Sequence, residues 1–182
     1  MRRKQSPQSL AGRFLAATPS LLDPNFRRTL LYLTRHDPAA GTVGLILNRP
    51  MGGTLGDILP GSAGLAGIPL LEGGPVSVGQ VIVARLAWTN RSVHFESLGP
   101  EVEAPDTPDP DLRAFAGYAG WSEGQLEEEI REGSWRVLPA RRRLLEPVRD
   151  KERGVAVWKA MMSGMPPFQR LLSDAPDHPE LN

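Results

Sequence analysis

The stretch GYAGWSEGQLEEEIREGSW, Gly117–Trp135, carries the strongest local structural signals in this chain of 182 residues. Its centre has the pattern of a helix start on the surface of a sheet. Ser122 is a typical N-cap residue, and Gln125, three positions later, completes the pattern of a capping box. Trp121 and Leu126 occupy the two positions of a hydrophobic staple, which fixes the angle at which the chain enters a helix. We therefore predict a helix that begins after Ser122.

The same stretch marks the end of this helix and leaves two residues without a role in fastening it. Gly133 is placed to be the left-handed residue after the helix, and Trp135 starts the next strand. Gly124 would lie inside the helix, at a cost of about 1 kcal/mol relative to alanine, on the same outer side as Glu128. Tyr118, between glycines, has no fastening role. Two interpretations remain open: Gly124 faces another segment of this chain, or Tyr118, Gly124 and Glu128 form a surface for a partner.

Outward from this stretch, strand-like segments come first in the chain and helical segments later, which predicts an α+β fold. Strands are predicted at 28–36, 42–50, 68–75, 80–88, 92–98 and 112–120, the first two joined as a hairpin, with a short helix after Thr54 capped through Asp57 and a longer one at 151–164. In the longer helix Val155, Trp158 and Met162 share one face, and Gly164 and Pro166 end it.

The length and the ends of the chain indicate one domain. We expect residues 9–172 to form a single domain, with disorder at 1–8 and at 173–182. The acidic, proline-rich segment 99–111 is expected to be a surface loop.

Composition excludes several classes of protein. Lys+Arg and Asp+Glu both number 21, so we expect no strong nucleic-acid binding; the basic run at 140–143 is followed by interleaved acidic residues. The absence of cysteine excludes disulfides, thiol catalysis and cysteine-ligated zinc. No run approaches the roughly 20 apolar residues that span a bilayer, and the apolar stretch near the start is too short and polar for a secretory signal. We expect a cytoplasmic protein that binds no membrane.

One candidate site lies on the predicted strand at 92–98. His94 and Glu96 are two apart, so both side chains point to one face, as an acid–base couple or as two metal ligands. A third ligand would come from His36 or Asp37. The alternative is a pair of polar residues on the wet face of a half-buried strand. Three scattered histidines and no cysteine make a poor ligand set, so we expect no metal and no cofactor.

A second candidate site combines NRPMGGT (48–54) with EGGP (72–75). Glycines before a helix start can hold an anion, although a tight turn explains them equally well. The glycines of EGGP expose the backbone beside a carboxylate, which favours a shared cleft or, alternatively, a turn or bulge between buried strands. The chain contains no nucleotide-binding glycine motif and no G-x-S-x-G elbow. The residues of the predicted cleft are Asn48, Arg49, Glu72, Gly73 and Gly74.

Four blocks of sequence resemble the YqgE/AlgH family of bacterial proteins. GYAGWSEGQLEEEI resembles the family signature, and FLAATPSLLDPNF (14–26), GLILNRP (44–50) and EGGPV (72–76) agree in the same order. The resemblance runs from about Leu10 to about Leu172. It implies a single α+β domain with a bifurcated, largely antiparallel sheet that forms a pseudo-barrel flanked by a few helices. The family often has a histidine where this chain has Arg85.

The resemblance carries no catalytic residues, and the family label of transcriptional regulator comes from an association with alginate production. Three hypotheses follow. The first is a non-enzymatic intracellular binding or adaptor module whose partner is a protein or a small ligand. The second is a hydrolase-type enzyme that uses His94 and Glu96, or the cleft of Asn48, Arg49 and Glu72. The third is a transcription-linked regulator that acts through a partner.

Overall fold

The computed structural model describes residues 9–59, 65–99 and 109–163. The strands are β1 Phe14–Ala17, β2 Leu30–Asp37, β3 Gly41–Ile46, β4 Pro50–Thr54, β5 Pro69–Glu72, β6 Val76–Thr89, β7 Ser92–Leu98, β8 Leu112–Trp121 and β9 Trp135–Leu138. The helices are α1 Leu55–Ile58, α2 Gln125–Arg131 and α3 Lys151–Met162, with a 3₁₀ turn, η1, at Arg142–Leu145. The predicted ends of the chain, the helix-ending residues Gly164 and Pro166 and most of the loop 99–111 lie outside the described residues.

The strands form one mixed, strongly curled sheet that makes a half-barrel, which confirms the α+β fold. The order is β4-β5-β8-β3-β2-β1-β9, and β6 pairs with both β7 and β8. The pairing of β5 with β8 is parallel, and the other pairings are antiparallel. β6 pairs along one edge of β8. Along the other edge, β5 pairs with the first half of β8 and β3 pairs with its second half. The sheet therefore divides in two at the middle of β8.

The central strands are buried on both faces, and successive residues of a strand point to opposite sides. In β1, Phe14 belongs to the core cluster that includes Trp158 and Met162 of α3. Its neighbour Leu15 belongs to a second cluster, with Leu126 of α2. Each of the two longer helices thus covers one face of the sheet.

Several predicted elements are confirmed with their local chemistry. The strands β2 and β3 form the expected hairpin, in which Asp37 pairs with Gly41. Helix α1 begins after Thr54, whose backbone N–H donates to Asp57 Oδ2 at 2.7 Å, as the capping box predicts. Helix α3 begins after Asp150, and its buried face comprises Gly154, Trp158 and Met162.

The predicted start of α2 was wrong. The helix begins at Gln125, and Gly124 precedes it as a left-handed residue with φ 69° instead of lying in its interior. Gln125 Oε1 does accept from the Ser122 backbone N–H at 3.0 Å, but the Ser122 hydroxyl donates to the same oxygen and caps no helical N–H. At the other end Gly133 is left-handed, as predicted, with φ 83°. The N–H of Ser134 donates to Glu129 O and that of Gly133 to Ile130 O, which is a Schellman motif.

The strand predicted at 80–88 was only partly correct. β6 begins four residues earlier, at Val76, and its first six residues are exposed. Along the whole strand only Ala84 and Leu86 are fully buried. The apolar run predicted a buried strand, but the first half of β6 is exposed. The register of β6 with β8 shifts between the pairs Val76–Tyr118 and Val81–Ala116.

Candidate ligand-binding cavity

The glycines of EGGP and GYAG pack against each other where the sheet divides. A Cβ on Gly73 would lie 2.2 Å from Gly117 O, and one on Gly74 would lie 2.2 Å from the carbonyl carbon of Tyr118. Gly73 also donates to Ala116 O at 2.8 Å and accepts from the N–H of Ile46 at 3.0 Å, so it joins β8 to β3. These glycines are therefore required by the close approach of two backbones.

Arg49 and Glu72 lie together, as the cleft hypothesis predicted, in an ion pair of 3.0 Å. Arg49 also donates to the carbonyls of Pro24 at 2.9 Å, Asn25 at 2.8 Å and Arg27 at 3.0 Å. One guanidinium thus fastens the loop between β1 and β2 to the end of β5.

Asn48 is buried, and its side-chain amide bonds three backbone groups in two other segments. Its Oδ1 accepts from the Leu30 N–H at 2.7 Å, and its Nδ2 donates to Arg28 O at 2.9 Å and to Gly154 O at 3.0 Å. The close packing extends to Gly154, where a Cβ would lie 2.2 Å from Asn48 O. Asn48 therefore joins β2 to α3 through its amide, whose hydrogen bonds go to backbone groups.

The three residues of the expected partner surface are divided between two faces of the sheet. Tyr118 packs against the cluster covered by α3, whereas Trp121, three positions later on β8, packs against the cluster of α2. Glu128, on α2, is exposed and ion-paired with Arg131. A Cβ on Gly124 would meet nothing within 4 Å. No single surface on this structure contains all three.

The two tryptophans of the opening stretch share one acceptor that the sequence patterns did not reveal. Glu129 Oε2 accepts from Trp121 Nε1 at 2.9 Å and from Trp135 Nε1 at 2.7 Å. Its Oε1 accepts from Gln125 Nε2 at 2.9 Å. The indole rings meet edge to face at 5.8 Å, and Phe26 stacks on Trp121 at 6.0 Å. The sequence signal for this shared acceptor was an acidic residue between two tryptophans.

Of the residues proposed as an acid–base or metal site, His94 and Glu96 share one exposed face of β7, whereas His36 lies on another strand. His94 is exposed on β7, and Glu96 forms an ion pair of 3.0 Å with Arg85, which also bonds Asp109 at 2.8 Å. His36 lies on β2, with Nε2 3.0 Å from Glu127 of α2. Within the described residues, no group of three or more histidine or carboxylate side chains is arranged to hold a metal ion.

A cavity of about 530 Å³ lies elsewhere, between the β4–α1–β5 edge of the sheet and the start of β8. Its walls come from segments 50–57, 67–70, 109–113 and 147–149. The glycines Gly52 and Gly53 of the NRPMGGT block form part of one wall, and each of the four segments contributes one proline. Sequence reasoning reached one of these segments and missed the remaining three.

Arg113 is the charged residue buried deepest in the cavity wall, with 5% of its surface exposed. Its guanidinium donates to the carbonyls of Pro110 at 2.7 Å, Leu112 at 3.0 Å and Leu145 at 2.7 Å. Burial lowers the pKa of Arg113, against the attraction of nearby Asp111 and Asp109. In the described part of the chain, the hydrogen-bond partners of the Arg113 guanidinium are all neutral carbonyl oxygens.

The two acidic residues of the wall have partners already. Asp57 Oδ2 accepts from the N–H and hydroxyl of Thr54, which lowers the pKa of Asp57. Burial alone would raise the pKa of Asp109, but a hydrogen bond from the Asp111 N–H and the ion pair with Arg85 outweigh it, and the pKa is lowered. Both side chains are thus held as carboxylates by the fold.

The sheet, a half-barrel that divides in two at β8, places this chain in a distinct class of α+β proteins. Residues 14–167 match the model of the family described as DUF179, AlgH-like, and the chain belongs to this family. The match confirms the resemblance seen in the sequence. In the described residues, every helix is too short or too polar to cross a bilayer.

Relatives and solved structures agree with this membership. A UPF0301 protein of Streptomyces coelicolor is 38% identical over 197 residues, covering 96% of each chain. One of Saccharophagus degradans is 40% identical over 151 residues, covering 72% of each. The solution structure of the AlgH protein from Pseudomonas aeruginosa, 28% identical, covers 96% of this chain and 98% of that one with a TM-score of 0.65. A Corynebacterium diphtheriae protein, 23% identical, shares the fold with a TM-score of 0.69 over 94% and 95%.

Proposed function

We propose that this protein is a non-enzymatic binding module of the cytoplasm and that its ligand occupies the cavity beside Arg113. The observation that carries the proposal is this cavity of about 530 Å³ with a buried guanidinium in its wall. Sites for small molecules span about 300–1,000 Å³ and combine apolar walls with a few polar groups. A chain without cysteine is consistent with the cytoplasm.

Binding is favoured over the hydrolase alternative because the polar side chains of the proposed sites already form hydrogen bonds or ion pairs within the fold. Asn48 bonds three backbone groups, and Arg49 bonds three carbonyls besides Glu72. Glu96 is ion-paired with Arg85. A hydrolase requires a nucleophile and a base within hydrogen-bond reach, and groups already held by the backbone are poorly suited to either role.

Amide spectra of ¹⁵N-labelled protein test the proposal directly. Titration with a library of small charged and neutral compounds is expected to shift the amide signals of Gly52, Gly53 and Gly67, which line the cavity. Gly124 and Gly133, at the two ends of α2, serve as reference signals that stay unchanged. Compounds that bind elsewhere and never shift the cavity glycines would refute the site. Turnover of nitrophenyl esters or phosphates that disappears in a His94→Ala variant would favour the hydrolase.

A second candidate function is an adaptor that docks a partner protein on the exposed start of β6. Val76, Val78 and Val81 are 36%, 64% and 38% exposed, and Val76 pairs with Tyr118. Exposed β-branched residues beside an incompletely paired strand are typical of strand addition by a partner. A transcription-linked regulator would act in this way, because the zero net charge disfavours direct DNA binding.

Crosslinking in cells distinguishes this second function. A specific partner captured by the wild type is expected to be lost in Val78→Asp and retained in Glu128→Gln, the latter a change on the exposed face of α2. The same partner captured equally by both variants would place the contact elsewhere.

A further inference from the structure

The charged side chains of the cavity wall balance one another in number. Two carboxylates and two guanidiniums line the cavity: Asp57, Asp109, Arg113 and Arg149. The buried Arg113 guanidinium is attracted by Asp109 and by Asp111 beside it, so its counter-charge is supplied within the fold. The wall as a whole therefore presents no net charge to a ligand.

The polar atoms of these side chains are engaged within the fold or solvated. Asp57 accepts two hydrogen bonds in the capping box of α1, and Asp109 accepts one from Arg85 at 2.8 Å. Arg113 donates to three backbone carbonyls. Arg149 is exposed, so water solvates its charge. An ionic group that entered the cavity would have to break one of these bonds or stay unpaired away from water, and both are costly.

The rest of the wall is largely apolar. Ile68, Leu70, Leu112 and Val148 contribute aliphatic side chains that the fold buries. Each of the four wall segments adds a proline, and a proline has no backbone N–H with which to bind an acceptor group. Burial of apolar ligand surface against such a wall is favourable, whereas burial of an unpaired charge is not.

We propose that the cavity binds a neutral, mainly apolar small molecule and discriminates against ions of either sign. This inference rests on the proposed function and narrows it to one class of ligand. The four charged side chains hold the wall segments in place, and because they balance, they attract neither an anion nor a cation. A hydrocarbon ring system fits the prolines and the aliphatic side chains.

Three probes that share one ring system and differ in charge test the inference. Naphthylmethanol is neutral, naphthoate is an anion and naphthylmethylammonium is a cation. Naphthylmethanol is expected to shift the amide signals of Gly52, Gly53 and Gly67 of the labelled full chain up to saturation. Each ion is expected to bind there about tenfold more weakly or less, because its charge would be buried without a partner.

Charge variants show whether the balance of the wall sets this preference. Asp109→Asn removes one carboxylate and is expected to strengthen the binding of naphthoate about threefold, with little change for naphthylmethanol. Arg149→Gln removes one positive charge and is expected to strengthen the binding of naphthylmethylammonium about twofold, a smaller effect because Arg149 is exposed. A melting curve shows whether Asp109→Asn is folded, and the exposed Arg149→Gln keeps the test decisive if it is not.

Two matched controls change a charge outside the cavity wall. Glu123→Gln removes an exposed carboxylate and Arg143→Gln an exposed guanidinium, and neither residue lines the cavity. Both variants are expected to bind the three probes as the wild type does.

The possible outcomes separate the inference from the proposed function. An ion that binds at the cavity glycines as tightly as naphthylmethanol would overturn the neutral ligand while the cavity remained a binding site. Charge variants of the wall that behave like the two controls would overturn it as well. Probes that leave the amides of Gly52, Gly53 and Gly67 unshifted would overturn both the inference and the proposed function. The inference is supported only when naphthylmethanol binds most tightly and an ion gains affinity in the variant that unbalances the wall in its favour.

Discussion

Replacing Gly124 by alanine tests where α2 begins. In the structure Gly124 has φ 69°, and an added Cβ meets no atom within 4 Å, so the effect of the change is one of backbone conformation. Holding an L-residue in the left-handed region costs about 1–2 kcal/mol. Alanine also restricts the unfolded chain, which offsets about 0.4–1 kcal/mol. We therefore expect Gly124→Ala to lower the free energy of unfolding by about 1 kcal/mol.

Urea denaturation followed by tryptophan fluorescence measures this difference. Gly67 and Gly79 provide matched controls, because an added Cβ is equally free at both and neither has a positive φ. Alanine at these two positions is expected to leave stability unchanged or to raise it by up to about 1 kcal/mol. Gly124→Asn is expected to cost less than Gly124→Ala, since asparagine enters the left-handed region more readily.

The opposite sign would refute the reasoning. If Gly124→Ala stabilised the protein as Gly67→Ala does, Gly124 would lie in the interior of the helix, where alanine is the better residue. The helix would then begin after Ser122, as the capping pattern alone predicts.

Three further changes test other parts of the structure by urea denaturation. Glu129→Ala leaves two buried indole N–H groups without their acceptor and is expected to lower the free energy of unfolding by about 2–4 kcal/mol. The control Glu123→Ala, at an exposed position, should be nearly neutral, and equal effects of the two changes would refute the shared acceptor. Gly73→Ala places a Cβ 2.2 Å from a carbonyl oxygen and is expected to lower the free energy of unfolding by about 3 kcal/mol or more. Gly79→Ala is expected to change it little, and a fully stable Gly73→Ala variant would refute the close approach of the two backbones. Because the pKa of Asp109 is lowered in the fold, its carboxylate stabilises the protein above the ordinary value of about 4, and this contribution disappears as pH falls through the lowered pKa. Asp109→Asn is therefore expected to make stability less dependent on pH below about 4, and an unchanged pH profile would contradict this.

Local chemistry was predictable where neighbouring residues alone decide it. The hairpin of β2 and β3, the capping box of α1 and the left-handed Gly133 each depend on a few consecutive residues. At Ser122 and Gln125 the same local signal was misleading. Gln125 makes the hydrogen bond to the Ser122 N–H that a capping box requires, yet the chain turns at Gly124 before the helix starts. One hydrogen bond is compatible with both geometries, so the pattern could not distinguish them.

Features that depend on distant segments were not predictable. The cavity is built from four segments spread between residues 50 and 149, and its volume exists only after the sheet has curled. The Arg49–Glu72 pair was expected as part of a cleft, but the carbonyls that Arg49 also binds lie in a loop for which the sequence predicts no secondary structure. Arg113, a charged residue among the mostly apolar residues of the strand predicted at 112–120, was the one signal of the cavity that could have been noticed.

The positions of the charged cavity residues limit what the family signature can say about ligands. The four blocks that carry the resemblance, at 14–26, 44–50, 72–76 and 117–130, contain glycines and polar residues that the fold itself uses. Asp57, Asp109, Arg113 and Arg149 all lie outside these blocks. A relative could therefore keep every block, and with it the half-barrel, while the charges of its cavity differ. For this reason we expect the class of ligand to follow these four positions, so that in relatives that differ there, different compounds shift the amide signals of the cavity glycines.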